Sequence, residues 1–259
     1  MKIFFDHIAG QTERREIYYC PATAIFEKNE YENALETGWQ IATSWSDEDF
    51  AWYDKQKLLG IDVWYQTRVT RIEIDKFVEK AKHRSKIKKA NVTMQISDTP
   101  KPKEYWPIYC KYVETKGYYK HHDNISTLLQ PIYGTRKYLE YYSENKLIAF
   151  SIIELVGNTA LAIQFCWDYS QPEKKLGYAN HYLRIRCLKE LNIKYLHLGT
   201  SYEKGSLKKC DMSGFQWWTG RGWSSDVSLY KQLIINESKM NTLDDLHEQQ
   251  RLFYSKLDI

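Results

Sequence analysis

A chain of 259 residues with 43% hydrophobic and 15% aromatic content, including 21 Tyr and 9 Trp, is long enough to bury a core in one large α/β domain or two smaller ones, which excludes a disordered protein. The opening MKIFFDHIAGQTERRE lacks the apolar run of a secretory signal and no stretch approaches the roughly 18 apolar residues that span a bilayer, so a cytoplasmic protein with no membrane partner is expected. The formal charge of +4 is modest, and five cysteines (Cys20, Cys110, Cys166, Cys187, Cys210) without a CxxC pair predict free thiols rather than a disulfide framework or a metal site.

The first sixty residues read as an irregular α+β entry, with a short apolar segment YYCPATAIF and a capped helical turn in NEYENALETGW ending near Gly38. Residues 63–74 (VWYQTRVTRIEI) are β-branched and aromatic with partial alternation, a strand. A helix follows from Asp75 as N-cap, with Phe77, Ala81 and Arg84 at helical spacing and much of the Lys/Arg set turned to solvent. Segment 68–89 carries nine Lys or Arg against three acids; a solvated helix face or a phosphate-binding track explains it. The polar, Pro-containing SDTPKPK is a linker candidate at 97–104, dividing a smaller N-terminal α+β subdomain (1–96) from a larger domain (105–259).

In that larger domain, Tyr105, Tyr109 and Tyr112 form an aromatic stripe of core character on a helix that Pro107 obliges to begin around it. KYLEYYSENKLIAFSIIEL reads as a hairpin turning at Ser143–Glu144–Asn145, and TALAIQFCW as a third antiparallel strand entered through Gly157–Asn158. LGYANHYLRIRCLKELN follows as a helix with Tyr178, Tyr182, Ile185, Leu188 and Leu191 on one face, and IKYLHLG as a strand parallel to the one before it. NTLDDLHEQQRLFYSKL closes the chain as an amphipathic helix with Leu243, Leu246 and Leu252 inward.

FCWDYSQPEKKLG, a helix, IKYLHLGTSYEKGSLKKCDMSGFQ and GRGW occur in the order in which similar pieces occur in arginyl- and leucyl-tRNA–protein transferases, a family this chain resembles. The carrying residues are Trp167–Asp168, Pro172, Leu176–Gly177, Leu198–Gly199, Lys208–Lys209 and Phe215, with Tyr19–Cys20–Pro21 and the basic stretch after Val63 as weaker echoes. The likeness covers about residues 17–225 and is strongest at 138–223. It implies a GNAT-like acyltransferase with a mixed central sheet, which moves an amino acid, Arg or Leu, from tRNA to the α-amine of a protein, peptide or small molecule. Relatives carry several N-terminal cysteines where this chain keeps Cys20, so the family's metal or cluster is not carried over. His197 and Thr200 stand where relatives have aromatics.

An aminoacyl-tRNA is an activated ester, so its transfer needs positioning, oxyanion stabilisation and a proton route, and no cofactor beyond that cosubstrate. Asp168 is the first candidate to accept the donor's α-ammonium, with Gln164 on the same strand, and Glu154, Thr200 and Tyr202 as further substrate contacts. His197 is the candidate proton relay, because imidazole titrates near neutrality. Two basic patches are candidate tRNA contacts: Arg68, Arg71, Lys82, Arg84, Lys86, Lys88 and Lys89, and Lys204, Lys208 and Lys209. Trp217, Trp218 and Trp223 are candidates to stack a base or to pack. Two other readings are an acyl-CoA-dependent N-acyltransferase, suggested by Lys174–Lys175–Leu176–Gly177–Tyr178–Ala179 as a pyrophosphate loop, and a non-catalytic relative that binds RNA or protein.

Overall fold

A computed structural model describes residues 2–4, 8–11, 17–20, 22–41, 63–66, 68–117, 125–201, 204–237, 239, 245 and 248. In chain order these hold β1 (Lys2–Phe4), β2 (Ile8–Gln11), β3 (Ile17–Cys20), β4 (Ala22–Ile25), α1 (Tyr31–Glu36), β5 (Trp39–Ile41), β6 (Val63–Gln66), β7 (Val69–Glu73), α2 (Ala81–Ala90) and β8 (Thr93–Ser97). Then come α3 (Pro102–Lys116), α4 (Ser126–Leu129), β9 (Thr135–Ser143), β10 (Lys146–Val156), β11 (Thr159–Trp167), α5 (Leu176–Glu190), β12 (Tyr195–Thr200), β13 (Phe215–Trp218), β14 (Trp223–Ser224) and α6 (Val227–Glu237). Of the expected C-terminal helix around Leu243–Leu252, Asp245 and Glu248 are among the described residues and are helical, while its leucines and the candidate contact Tyr202 lie outside them.

Two compact units divide the chain: Met1–Arg71 with Gly199–Ile259, and Ile72–Leu198. The expected boundary at 97–104 is thereby corrected. That stretch is the connection from β8 into α3 inside the second unit: β8 pairs with β9 from Thr93↔Tyr142 to Ser97↔Tyr138, and Lys101 ion-pairs with Glu140 at 2.7 Å. Its prolines serve the start of α3, where Pro102 needs no intrahelical N–H partner.

The first unit contains an antiparallel sheet ordered β1-β4-β6-β5. Phe26, Tyr31, Trp39 and Trp64 pack together in its core, with Tyr31 and Trp64 centroids 4.9 Å apart. Gly38 ends the α1 turn as expected. At φ +80° it lies so close to Trp218 that a Cβ would come within 2.4 Å of the ring, a position closed to any side chain.

The second unit is an α/β structure whose sheet runs β12-β11-β10-β9-β8, and the expected mixed sheet is present. Glu144 and Asn145, at φ 51° and 62°, make the two-residue hairpin turn between β9 and β10, where both central residues need positive φ. β10 and β11 are antiparallel, and β12 returns parallel to β11 after α5. Tyr105, Tyr109 and Tyr112 of α3 bury against Tyr138, Phe150, Ile152 and Cys166, the stripe read from spacing. Pro107 does not start that helix but sits exposed within it.

Asp75 does not cap α2, which starts at Ala81; residues 74–76 form a separate 3-10 turn. The Lys80 N–H donates to Nδ1 of His83 at 3.2 Å, so the cap comes from three residues inside the helix. His83 is fully buried and stacked on Tyr182 (4.2 Å) and Phe77 (5.7 Å). Burial, then Lys82, Lys86 and Lys80, hold its pKa below the ordinary 6.5, against a smaller opposing pull from Glu79. The unfolded chain therefore takes up a proton that the folded chain refuses. This contribution is complete above the unfolded pKa and declines as pH falls below it. Thermal unfolding between pH 7.5 and 5.5 should show Tm falling with acid, and by less in His83→Asn, which keeps an acceptor for the cap but cannot titrate.

Candidate active site

Within the second unit, the parallel ladder between β11 and β12 is short: Thr159, Ala160 and Leu161 pair with Tyr195, Leu196 and His197, and among the described residues the pairing stops there. β11 continues to Trp167, held on its other side by β10 as far as Ala149↔Trp167, and the Asp168 N–H donates onward to the Ile148 carbonyl at 2.8 Å. β11 thus lies between two strands, yet none of Ala162, Ile163, Gln164 and Phe165 is fully buried, whereas β10 beside it is buried almost throughout. A strand with water on it in mid-sheet marks an opening, and among the described residues no strand pairs the edge of Ala162–Phe165 that faces away from β10, which leaves N–H and C=O groups available to a polar ligand.

Gln164 sits on this open stretch, half-buried, its amide donating to Cys166 Sγ at 3.3 Å. His197 occupies the last paired position of β12 and is 5% exposed. Asp168 stands one residue beyond β11. Its Oδ1 accepts the Ser170 N–H at 2.9 Å and pairs with Lys111 Nζ of α3 at 2.7 Å. Burial works to raise its pKa, but the bonds from Lys111 and Ser170 outweigh that, so the carboxyl lies below its usual range and is charged at neutral pH. Gln164, Asp168 and His197 lie in one unit, His197 beside Leu161 where the ladder ends and Asp168 beyond the far end of β11, while Thr200 closes β12 in the other unit, its carbonyl held by Lys209 at 2.7 Å.

Glu154 departs from the expected role. It is fully buried on β10, and its Oε1 accepts the N–H groups of Ile132 (2.8 Å), Tyr133 and Gly134 (2.6 Å). Oε2 faces Nε of Arg136 at 2.8 Å, an ion contact without an aligned hydrogen bond. Arg136 in turn donates to the Gln130 carbonyl at 2.8 Å. This carboxylate ties down the 130–136 loop. Gly134 allows the approach, since a Cβ there would meet the Leu155 carbonyl oxygen at 2.1 Å.

The first basic patch divides. Arg68 makes a two-pronged pair with Glu237 at 2.5 and 2.6 Å, and Arg71, 6% exposed, donates to Gln216 at 2.7 Å and stacks 3.9 Å from the Trp223 centroid. Both arginines are part of the first unit's framework rather than its surface. Lys82, Arg84, Lys88 and Lys89 on α2 are exposed, and half-buried Lys86 caps the Tyr178 ring at 4.0 Å. Lys204 and Lys208 are exposed in the other unit, and Lys209 is held by Thr200. Trp217 and Trp218 are buried, so packing is their role. Burial pushes the thiols of Cys166 and Cys187 up to about 12 and about 11, which keeps them protonated and unreactive.

Sequence reading missed Lys111, Lys116 and Tyr169 and gave Tyr112 to the core alone; the four surround Trp167 and Asp168. Their signal was faint: aromatics alternating along FCWDY, and lysines on a helix far upstream that only tertiary packing brings to the strand.

A family model for "Arginine-tRNA-protein transferase, C terminus" matches residues 28–206, more than two thirds of the chain. No curated protein matches it. Similar solved structures include the C-terminal domain of a putative lysylphosphatidylglycerol synthetase from Agrobacterium fabrum, at 10% identity over 52% of this chain and 46% of that one, TM-score 0.44. L-PGS from Bacillus licheniformis is 11% identical over 89% of this chain and 71% of its own, TM-score 0.41. FemX is 10% identical over 77% and 80%, TM-score 0.43. The chain spans about half the length of the first of these, 46%. No helix among the described residues is long and apolar enough to cross a membrane.

Proposed function

The chain belongs to the arginine-tRNA-protein transferase family, and from that premise we propose that it moves an aminoacyl group from tRNA to a primary amine, with the opening beside β11 as the reaction site. The observation that carries this reading is the early end of the β11–β12 ladder, which leaves a polar strand edge inside the segment the family covers. The mixed sheet with one parallel crossover supports a GNAT-like arrangement.

The amine nitrogen attacks the ester carbonyl, the bond to the ribose oxygen breaks, and the proton lost by the amine is taken up by that departing oxygen. Backbone N–H groups on the free edge of Ala162–Phe165 suit the developing oxyanion. Asp168 accepts the donor's α-ammonium, Gln164 orients the aminoacyl group, and His197 relays the proton. Nothing in this chemistry calls for a metal or cofactor besides the aminoacyl-tRNA. The donor is Arg or Leu, and the acceptor an α-amine.

The deciding assay follows radiolabel from tRNA charged with single amino acids, Arg and Leu first, onto peptides with acidic or basic N-termini. Protein-dependent transfer names the donor. Silence with every charged tRNA, together with activity on acetyl-CoA, overturns the reading. For the tRNA surface this reading retains the exposed Lys82, Arg84, Lys88 and Lys89 of α2 with Lys204 and Lys208, and the test takes the α2 lysines Lys82, Lys88 and Lys89. Replacing all three with Ala should lower the slope of log affinity against log salt by about 3, near 0.9 per lost duplex phosphate contact. An unchanged slope would exclude α2.

A further inference from the structure

β11 ends in a row of aromatic rings that the reaction scheme above leaves without a role. Phe165 stacks on Trp167 at 5.1 Å and 27°, and Tyr169 lies tilted against Trp167 at 4.5 Å and 34°. Tyr112 closes one side, 5.0 Å from Trp167 and 6.0 Å from Tyr169. The stacked Tyr105 and Phe150 of the same unit are fully enclosed, at 0% exposure. Phe165, Trp167 and Tyr169 instead all keep water on them. Cations flank them. The exposed Lys116 holds its ammonium 5.5 Å from the Trp167 centroid and 5.3 Å from that of Tyr169, and Lys111, half exposed, is pinned alongside by Asp168.

Partly exposed stacked rings bordered by flexible lysines are what single-stranded nucleic acid needs: faces for bases and charge for the backbone between them. We propose that Phe165, Trp167 and Tyr169 are the platform on which the unpaired 3′-terminal adenosine of the donor tRNA stacks. Resting on the aminoacyl-tRNA reading, this identifies where the nucleic-acid end of that substrate is held. The purine takes the place of the Lys116 ammonium over the rings, and Lys116 turns to the adjoining phosphate. The distance suits the chemistry. Asp168, the acceptor of the donor's α-ammonium, stands between Trp167 and Tyr169 in the chain, and Trp167 lies three residues beyond Gln164, about 10 Å along a strand. Tyr169 contributes its ring and not its hydroxyl, which is turned into the protein and is buried without a hydrogen-bond partner.

The test is fluorescence anisotropy with two labelled tRNAs, one intact and one lacking only the terminal adenosine. Wild-type protein should bind the intact form about 10-fold more tightly, the scale of one stacked base. Trp167→Ala and Tyr169→Ala should bind both tRNAs alike, at the affinity wild type shows for the shortened one, and Tyr169→Phe should behave as wild type. Equal weakening of both tRNAs by Tyr169→Ala, or discrimination that survives in both alanine variants, overturns the platform. So does a wild-type protein that binds both tRNAs equally, though tRNA recognition itself would stand. A wild-type protein that binds neither tRNA sinks the aminoacyl-tRNA reading as well. Tyr169→Ala keeps the experiment decisive if Trp167→Ala fails to fold, because Tyr169 lies beyond the end of β11.

Discussion

Glu154→Gln is expected to lower Tm by about 10 °C, the result of stranding a buried arginine. The carboxylate is fully buried, accepts three consecutive backbone N–H groups and faces Arg136, whose side chain is 4% exposed. Burial lowers the Arg136 pKa and the charge of Glu154 opposes that, so the carboxylate offsets the cost of burying the guanidinium. Glutamine still offers an oxygen to the N–H groups but no charge to Arg136, and breaking a buried pair from one side costs about 3–5 kcal/mol. In a protein of this size each kcal/mol moves Tm by about 2–4 °C. Glu154→Gln with Arg136→Met should recover much of the loss, because an apolar side chain of similar length leaves no orphaned charge. Thermal unfolding followed by circular dichroism checks both. A fall of under about 2 °C for the single variant would mean the pair is not a structural tie. Below its own Tm, Glu154→Gln should transfer at close to the wild-type rate, since the residue holds a loop and not a substrate.

That residue also shows where sequence reading stops. Alternation along SIIEL places Glu154 on a strand, but alternation does not reveal that the neighbouring strands and the 130–136 loop enclose it. The loop in question folds onto the carboxylate because Gly134 has no Cβ to strike the Leu155 carbonyl. Arg68 and Arg71 failed as phosphate contacts for a similar reason. A charge run counts residues in a window, whereas the partner of Arg68 is Glu237, 169 residues away. Local signals did better. The hairpin between β9 and β10, the parallel crossover and the Tyr stripe of α3 all follow from periodicity and turn chemistry over a few residues, and all are present. The opening itself was not legible, because TALAIQFCW reads as an ordinary strand. Whether its edge is paired depends on where β12 stops following it after α5.

Asp168→Asn should reduce kcat/KM for transfer by an order of magnitude or more with little change in Tm. Asparagine keeps an oxygen for the Ser170 N–H, so the turn after β11 survives, and the Lys111 pair it loses is half exposed and screened by water. What goes is a charge-assisted bond to the donor's α-ammonium, worth about 1.5–3 kcal/mol where water is excluded. Lys111→Met separates the two explanations. If Asp168 serves only to fix the turn and pair with Lys111, both substitutions act on stability and leave transfer alone. If the carboxylate receives the donor, removing Lys111 takes away a competitor for it, and the KM for aminoacyl-tRNA should stay level or fall while Asp168→Asn raises it. The pH dependence has a definite sign. Lys111 and Ser170 hold the carboxyl below its usual range, so Asp168 is ionised throughout pH 6–8. The Asp168→Asn deficit should then be constant across that interval. A deficit that grew or vanished within it would assign the titrating group elsewhere, with His197 the first to test.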